Sequence, residues 1–168
     1  MAYTLYDATL PALTRGLNNL SAILKKAEGF ARETGMDPSE LLSAKLADDM
    51  FPLSRQVQIV SDTAKSAAGR LAQIDMPSWP DTETTFDQLQ QRIATTQAYL
   101  GGVTAEQVNG AEDRTITLPM PGTELKLPGR MFAAGFVLPN FYFHITTAYA
   151  ILRHKGVPLG KMDFLGGA

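Results

Sequence analysis

The stretch MFAAGFVLPNFYFHITTAYAIL, residues 131–152, contains no Asp, Glu, Lys or Arg. A helix that is apolar around its whole circumference lies either in the centre of a helical bundle or in lipid. Asn140 and His144 would each cost free energy in hydrocarbon, so the sequence favours a bundle and no membrane. Pro139 lies well inside the stretch and predicts a kink that frees the carbonyl of Gly135.

Three further segments repeat apolar residues at steps of three and four, the spacing of one helical face packed against other helices. The first stripe comprises Leu10, Leu13, Leu17, Leu20, Leu24, Ala27 and Ala31. The second comprises Leu53, Val57, Val60, Ala64, Ala68 and Leu71. The third comprises Phe86, Leu89, Ile93, Ala94, Ala98 and Leu100. Together with the uncharged stretch, these stripes predict an all-α four-helix bundle.

Proline and capping residues predict where two of these helices begin. The first helix either starts near Pro11, with Asp7 as its cap, or bends there, because proline has no amide proton for a helix interior. The third helix is expected to begin with Thr84 and Asp87 at cap positions.

A short β-hairpin is predicted between the third and fourth helices. Residues 115–118 and 124–127 flank the turn-forming run Pro119-Met120-Pro121-Gly122. The chain has 168 residues, which is the size of one domain, and no linker divides it. We therefore expect residues 1–168 to form a single domain.

Composition excludes several classes of function. The chain has 15 basic and 17 acidic side chains and a net charge of −2. It therefore lacks the excess of positive charge that is typical of nucleic-acid-binding proteins, and we expect no nucleic-acid partner. It has no cysteine, which excludes disulfides, thiolate metal sites and cysteine nucleophiles. Residues 1–7 lack the basic and apolar regions of an export signal, so we expect a cytoplasmic protein.

The last quarter of the chain carries a distinctive spacing: His144, then Tyr149, Leu152-Arg153 and Gly156. This spacing resembles the final helix of the DinB/YfiT-like superfamily. The segments Asp49-Met50-Phe51-Pro52-Leu53 and Gly160-Lys161-Met162-Asp163-Phe164-Leu165-Gly166, with Gln56, resemble an uncharacterised bacterial branch of it, a domain of unknown function. The resemblance implies a bundle with up-down-down-up connections and commonly a homodimer.

Many members of that superfamily are metal-dependent, thiol-dependent transferases and isomerases, with one histidine on the second helix and two, four residues apart, on the last. His144 matches the later histidine of that pair, but Asn140 stands four residues before it. The second helix has no histidine, and His154 lies ten residues after His144, about 280° around the helix. We therefore predict a degenerate site with no metal cofactor, with zinc or nickel as the alternative.

The residues around that degenerate site are the candidates for ligand binding: Asp49, Gln56, Asn140, Tyr149, Arg153 and Lys161. His144 is the candidate general base, because an imidazole titrates near neutral pH. The alternative is a buried imidazole bound by Asn140, Gln56 or a backbone carbonyl. Arg153 is expected to pair with Asp163 and dock the tail, or to form a cationic patch.

Three functional hypotheses remain open at this point. The first is a dimeric protein that binds a small ligand or acts as a stress-related accessory protein. The second is an enzyme of the thiol-dependent transferase or isomerase type, with His144 as base and Arg153 or Lys161 orienting an anionic substrate. The third is a role in protein interaction alone, through an apolar helix face.

Overall fold

The computed structural model describes residues 3–167. Three of its long helices are α1 (Leu5–Thr34), α3 (Leu53–Ala72) and α4 (Phe86–Gly101). The fourth is composite: α6 (Gly129–Met131), a π-helical segment (Phe132–Val137) and α7 (Leu138–His154) follow one another directly. Short helices are α2 (Pro38–Leu42), α5 (Ala105–Val108) and α8 (Lys161–Leu165), and β1 (Thr115–Met120) pairs antiparallel with β2 (Thr123–Pro128).

Two pairs of long helices run antiparallel. Helix α1 contacts α4 through the hydrogen bonds Asn18–Gln97 and Ser21–Gln90. Helix α3 contacts α7 through Gln56–His144 and Thr63–Asn140. In each pair, residue numbers rise along one helix as they fall along the other, which fixes the opposite directions.

Two other pairs run parallel. Helix α3 meets α4 at Ser61–Thr96 and again where Gly69 approaches Tyr99. Helix α1 meets α7 where Gly16 approaches Phe141, and Phe30 lies near Gly156 just beyond that helix. The directions of the four long helices are therefore up, down, down and up, as the resemblance implied.

The predicted stripes face the core with two exceptions. Every residue of the first and second stripes is buried, and so are Phe86, Leu89, Ile93 and Leu100 of the third. Ala94 and Ala98 are exposed, so that part of the prediction is wrong. The buried turn positions of α4 are instead taken by polar Arg92 and Thr96, which hydrogen-bond toward α3.

Two helix starts differ from the predictions. Thr4, not Asp7, caps α1, and Asp7 completes a capping box with it. Pro11 lies inside α1, and the hydroxyl of Tyr3 donates to the carbonyl of Asp7, four residues before the proline. Helix α4 is capped by Thr85, which forms a capping box with Gln88, so the cap lies one residue after Thr84.

The fourth long helix lies along one side of the bundle, and the prediction that it would be central on all faces is wrong. Phe132 and Phe141 are fully buried, but Phe143 is 57% exposed. The helix adapts before Pro139 by widening into the π-helical segment, where the amide of Leu138 bonds the carbonyl of Ala133. No helix in residues 3–167 is long and apolar enough to cross a bilayer.

The hairpin is confirmed and is longer than the sequence predicted. Its turn is formed by Pro121 and Gly122 alone, with Gly122 at φ +74°, where glycine is favoured. Two arginines attach this region to α3: Arg70 donates to the carbonyl of Thr117, and Arg114 donates to the carbonyl of Leu71, both at 2.7 Å.

Candidate functional site

His144 of α7 and Gln56 of α3 meet inside the bundle. The Nδ1 atom of His144 lies 2.6 Å from Oε1 of Gln56. Gln56 is 1% exposed and His144 is 9% exposed, so this contact is nearly shielded from water. The site is therefore built across the α3–α7 pair, where the sequence placed its two candidates.

The orientation of Gln56 determines which nitrogen of His144 carries the proton. The amide Nε2 of Gln56 lies 2.9 Å from the carbonyl oxygen of Phe51. A carbonyl only accepts, so the amide nitrogen must face Phe51 and the amide oxygen must face His144. Nδ1 of His144 therefore donates, and in the neutral imidazole Nε2 keeps its lone pair.

The electrostatic environment favours the neutral form of this imidazole. Burial lowers the pKa of His144 below its ordinary value of 6.5, and the positive charge of Arg55 lowers it further. Arg55 also bonds Gln58, at 3.2 Å, and forms an ion pair with Asp81. At neutral pH the imidazole therefore presents a hydrogen-bond acceptor and not a cation.

Asn140 lies one turn before His144 but has a different partner. Its Nδ2 atom donates to the hydroxyl oxygen of Thr63 at 2.8 Å. Thr63 lies on α3, two turns after Gln56. The Asn140–Thr63 and His144–Gln56 hydrogen bonds therefore follow one another along the contact between the antiparallel helices. Asn140 thus ties α7 to α3 beside His144.

The remaining candidates lie apart from this pair. Asp49 is in an exposed turn before α3, and Lys161 is exposed at the start of α8. Tyr149 packs edge-on against Phe164, with ring centroids 6.1 Å apart. Arg153 is exposed and follows His144 by nine residues, about 13.5 Å along the helix and half a turn around it.

The expected Arg153–Asp163 pair is wrong, because Asp163 pairs with Lys26 of α1. Lys26 and Asp163 are 137 residues apart in the chain, and only the packing of α8 against α1 brings them together. The tail is therefore docked on the first helix through this ion pair.

Sequence reasoning missed three contributors to the site. Arg55 supplies the nearby positive charge, Phe51 supplies the carbonyl that orients Gln56, and Thr63 binds Asn140. Thr63 could have been found, because it lies seven residues after Gln56 and so on the same helical face. The role of Phe51 could not, because it depends on where a loop carbonyl points.

The donor set around His144 does not fit the three-histidine metal site of the wider superfamily. Oε1 of Gln56 already accepts the proton of His144, and Asn140 is bound to Thr63. Within residues 3–167 no group of three His, Cys, Asp or Glu side chains is placed to hold a metal ion. Neutral amides are weak substitutes for the ligands that zinc prefers.

An up-down-down-up bundle with a histidine of its last long helix turned toward the second defines a DinB-like protein. A DinB family member protein from Shewanella denitrificans is 45% identical, with a TM-score of 0.89 over 98% of this chain and 93% of that one. The DinB-like protein YjoA from Bacillus subtilis is 18% identical, with a TM-score of 0.60 over 89% and 95%. That second likeness concerns the fold alone.

Residues 5–165 match the family described as a domain of unknown function, DUF1993. The chain belongs to this family, which confirms the resemblance to a branch of the DinB-like superfamily. No curated protein matches the sequence.

Proposed function

We propose that this DinB-like protein binds a small, uncharged ligand at Nε2 of His144, without a metal. The observation that carries the proposal is a relay of two hydrogen bonds, from Nδ1 of His144 to Oε1 of Gln56 and from Nε2 of Gln56 to the carbonyl of Phe51. The relay supports a fixed lone pair on Nε2, and a lone pair recognises a hydroxyl, amide or other donor. A carboxylate has no proton to donate to that lone pair, the lowered pKa of His144 disfavours the charged imidazole that could bind it, and Arg55 is already paired with Asp81.

The metal-free part of the proposal is tested by the metal content of the purified protein. Elemental analysis after purification without chelator, followed by titration with zinc and nickel, is expected to show no stoichiometric, tightly bound ion. Tight binding of one ion per chain would contradict the metal-free site. A His144→Gln variant, measured in parallel, is the control for binding at His154, the one histidine outside the site.

A second candidate function is favoured by the same neutral imidazole. A general base requires an unprotonated nitrogen directed at the substrate, and Nε2 of His144 meets the first condition. On this alternative the protein is an enzyme of the thiol-dependent transferase or isomerase type. Screening thiol-transfer and isomerase reactions with wild type and His144→Gln separates the two functions, because full activity in the variant excludes the general-base mechanism.

The dimer implied by the family resemblance is also part of the proposal. One face of the composite helix carries no charge although it is exposed; this uncharged face comprises Met131, Gly135, Pro139, Phe143 and Thr146. A contiguous apolar surface of this kind is typical of an interface. A second copy packed on the uncharged face, related by a two-fold axis, would cover it.

A further inference from the structure

A second crevice lies away from His144, between α1, α7 and the C-terminal helix α8. It has a volume of about 200 Å³. Ile145, Phe164 and Leu165 form its apolar walls. Tyr142, which also lines it, precedes His144 by two residues, so the crevice opens about 200° around α7 from His144. The two sites are therefore independent.

The polar groups of the crevice are suited to an anion. Arg15 lines it and forms no ion pair with any residue from 3 to 167. The half-buried Tyr142 adds a hydroxyl that can donate. The amide nitrogen of Asn19 donates one hydrogen bond to the carbonyl of Phe164, at 2.9 Å, and its second hydrogen can donate to a ligand. A guanidinium and a hydroxyl are thus available to one ligand.

Its charge distinguishes this crevice from four other cavities of the described chain. Each of those has a carboxylate in its lining: Glu83 in two of them, Asp87 in the third and Glu112 in the fourth. The lining of the Arg15 crevice contains a cation and no carboxylate. The other four linings also contain a cation each, Arg92, Lys45, Lys25 and Arg130, beside the carboxylate. Among these five cavities, a negative ligand would therefore meet a cation without a neighbouring carboxylate only in the Arg15 crevice.

The size of the crevice limits the ligand. Its volume corresponds to about six or seven water molecules and is below the range of about 300–1,000 Å³ for drug-sized ligands. The far wall is α8, which is held to α1 by Asn19 and by the ion pair of Lys26 with Asp163. A ligand of short chain length or a single ring would fit between these walls.

We propose that this crevice binds a small apolar carboxylate. Arg15 takes the carboxylate in a charge-assisted pair, the hydroxyl of Tyr142 donates to it, and the apolar body packs on Ile145, Phe164 and Leu165. A guanidinium is well suited to such a ligand, because its planar donors match the two carboxylate oxygens.

The test is a titration of the full chain with hexanoate, followed by two-dimensional amide NMR. Hexanoate is expected to shift the amides of Asn19, Tyr142 and Leu165, and hexan-1-ol, which lacks the charge, to shift them more weakly. Arg15→Gln is expected to lower the affinity for hexanoate by about two- to fivefold, because Arg15 is exposed and its pair with the carboxylate is screened by water. Arg32→Gln, at the exposed end of α1, removes the same charge outside the crevice and serves as the matched control.

Four outcomes would overturn the proposal. They are no shift at millimolar hexanoate, shifts confined to other surfaces, equal binding of hexan-1-ol, and equal loss of affinity in Arg15→Gln and Arg32→Gln. Tyr142→Phe gives a second measure, because it removes only the hydroxyl; a smaller loss of affinity than in Arg15→Gln is expected. The amide spectra themselves report whether each variant is folded.

Discussion

Gln56 connects two polar groups at the α3–α7 contact, the imidazole of His144 and the carbonyl of Phe51. Gln56→Leu leaves a buried donor and an acceptor without their partner, so we expect the free energy of unfolding to fall by about 1–3 kcal/mol. Urea denaturation measures this. The same substitution at exposed Gln91 is the control, with an expected change within about 0.5 kcal/mol. Equal effects would mean that the relay contributes nothing.

The lowered pKa of His144 predicts a pH dependence of stability. Because the pKa in the folded protein lies below 6.5, the unfolded chain binds the proton more readily. Stability is therefore full above about pH 6.5 and falls as the pH drops toward the folded pKa. Urea midpoints between pH 7.5 and 5 should fall in wild type and fall less in His144→Gln. Parallel curves for the two proteins would contradict the burial of a neutral imidazole.

At the scale of elements, Arg92 holds the connection between α3 and α4. Its side chain is 2% exposed and lies within 3.0 Å of carboxylate oxygens of Asp62, Asp81 and Glu83. Arg92→Met leaves Glu83, the least exposed of the three, without its cationic partner, although Gln58 still donates a hydrogen bond to it. We expect a loss of about 2–3 kcal/mol in the free energy of unfolding, measured in urea at fixed salt.

The control for Arg92 is the exposed pair of Lys126 with Glu124 in the hairpin. Lys126→Met is expected to change stability by less than about 0.5 kcal/mol, because exposed ion pairs contribute little. If Arg92→Met were equally mild, the cluster would be a surface network and would not hold the connection.

The helices could be predicted from sequence because their apolar periodicity reports directly which face is buried. Periodicity failed at Ala94 and Ala98, since alanine is small enough to be placed on either side of a helix. It also missed Arg92, because a buried charge depends on partners outside its own helix, here Asp62 of α3 and Asp81 and Glu83 of the connection before α4. The Lys26–Asp163 pair was missed for the same reason.

The candidate site was predictable in part. Spacing placed Gln56 and His144 on facing helices, and their contact was one of three alternatives for a buried imidazole. Spacing alone did not separate Asn140, which bonds Thr63, from the Gln56 contact. The tautomer of His144 could not be predicted from the sequence, because it depends on the position of the Phe51 carbonyl, which orients Gln56.

At the scale of the whole molecule, the uncharged face predicts self-association. Phe143→Glu places a charge in the middle of that face, where Phe143 is 57% exposed and its ring packs edge-on against that of His144. Wild type is expected to dimerise in sizing experiments over a dilution series, and Phe143→Glu to be monomeric at concentrations where wild type is dimeric. Met120→Glu, at an exposed apolar side chain of the hairpin, is the control. A wild-type monomer throughout, or a variant that dimerises equally, would contradict the proposed interface.

The protonation of a single imidazole tests the central claim most directly. A long-range proton–nitrogen NMR spectrum of wild type at neutral pH distinguishes a protonated from an unprotonated ring nitrogen, and His144→Gln assigns the signal. We predict that Nδ1 of His144 carries the proton and that Nε2 is unprotonated and free of metal. A proton on Nε2, or the signal of a metal-bound nitrogen, would contradict the account.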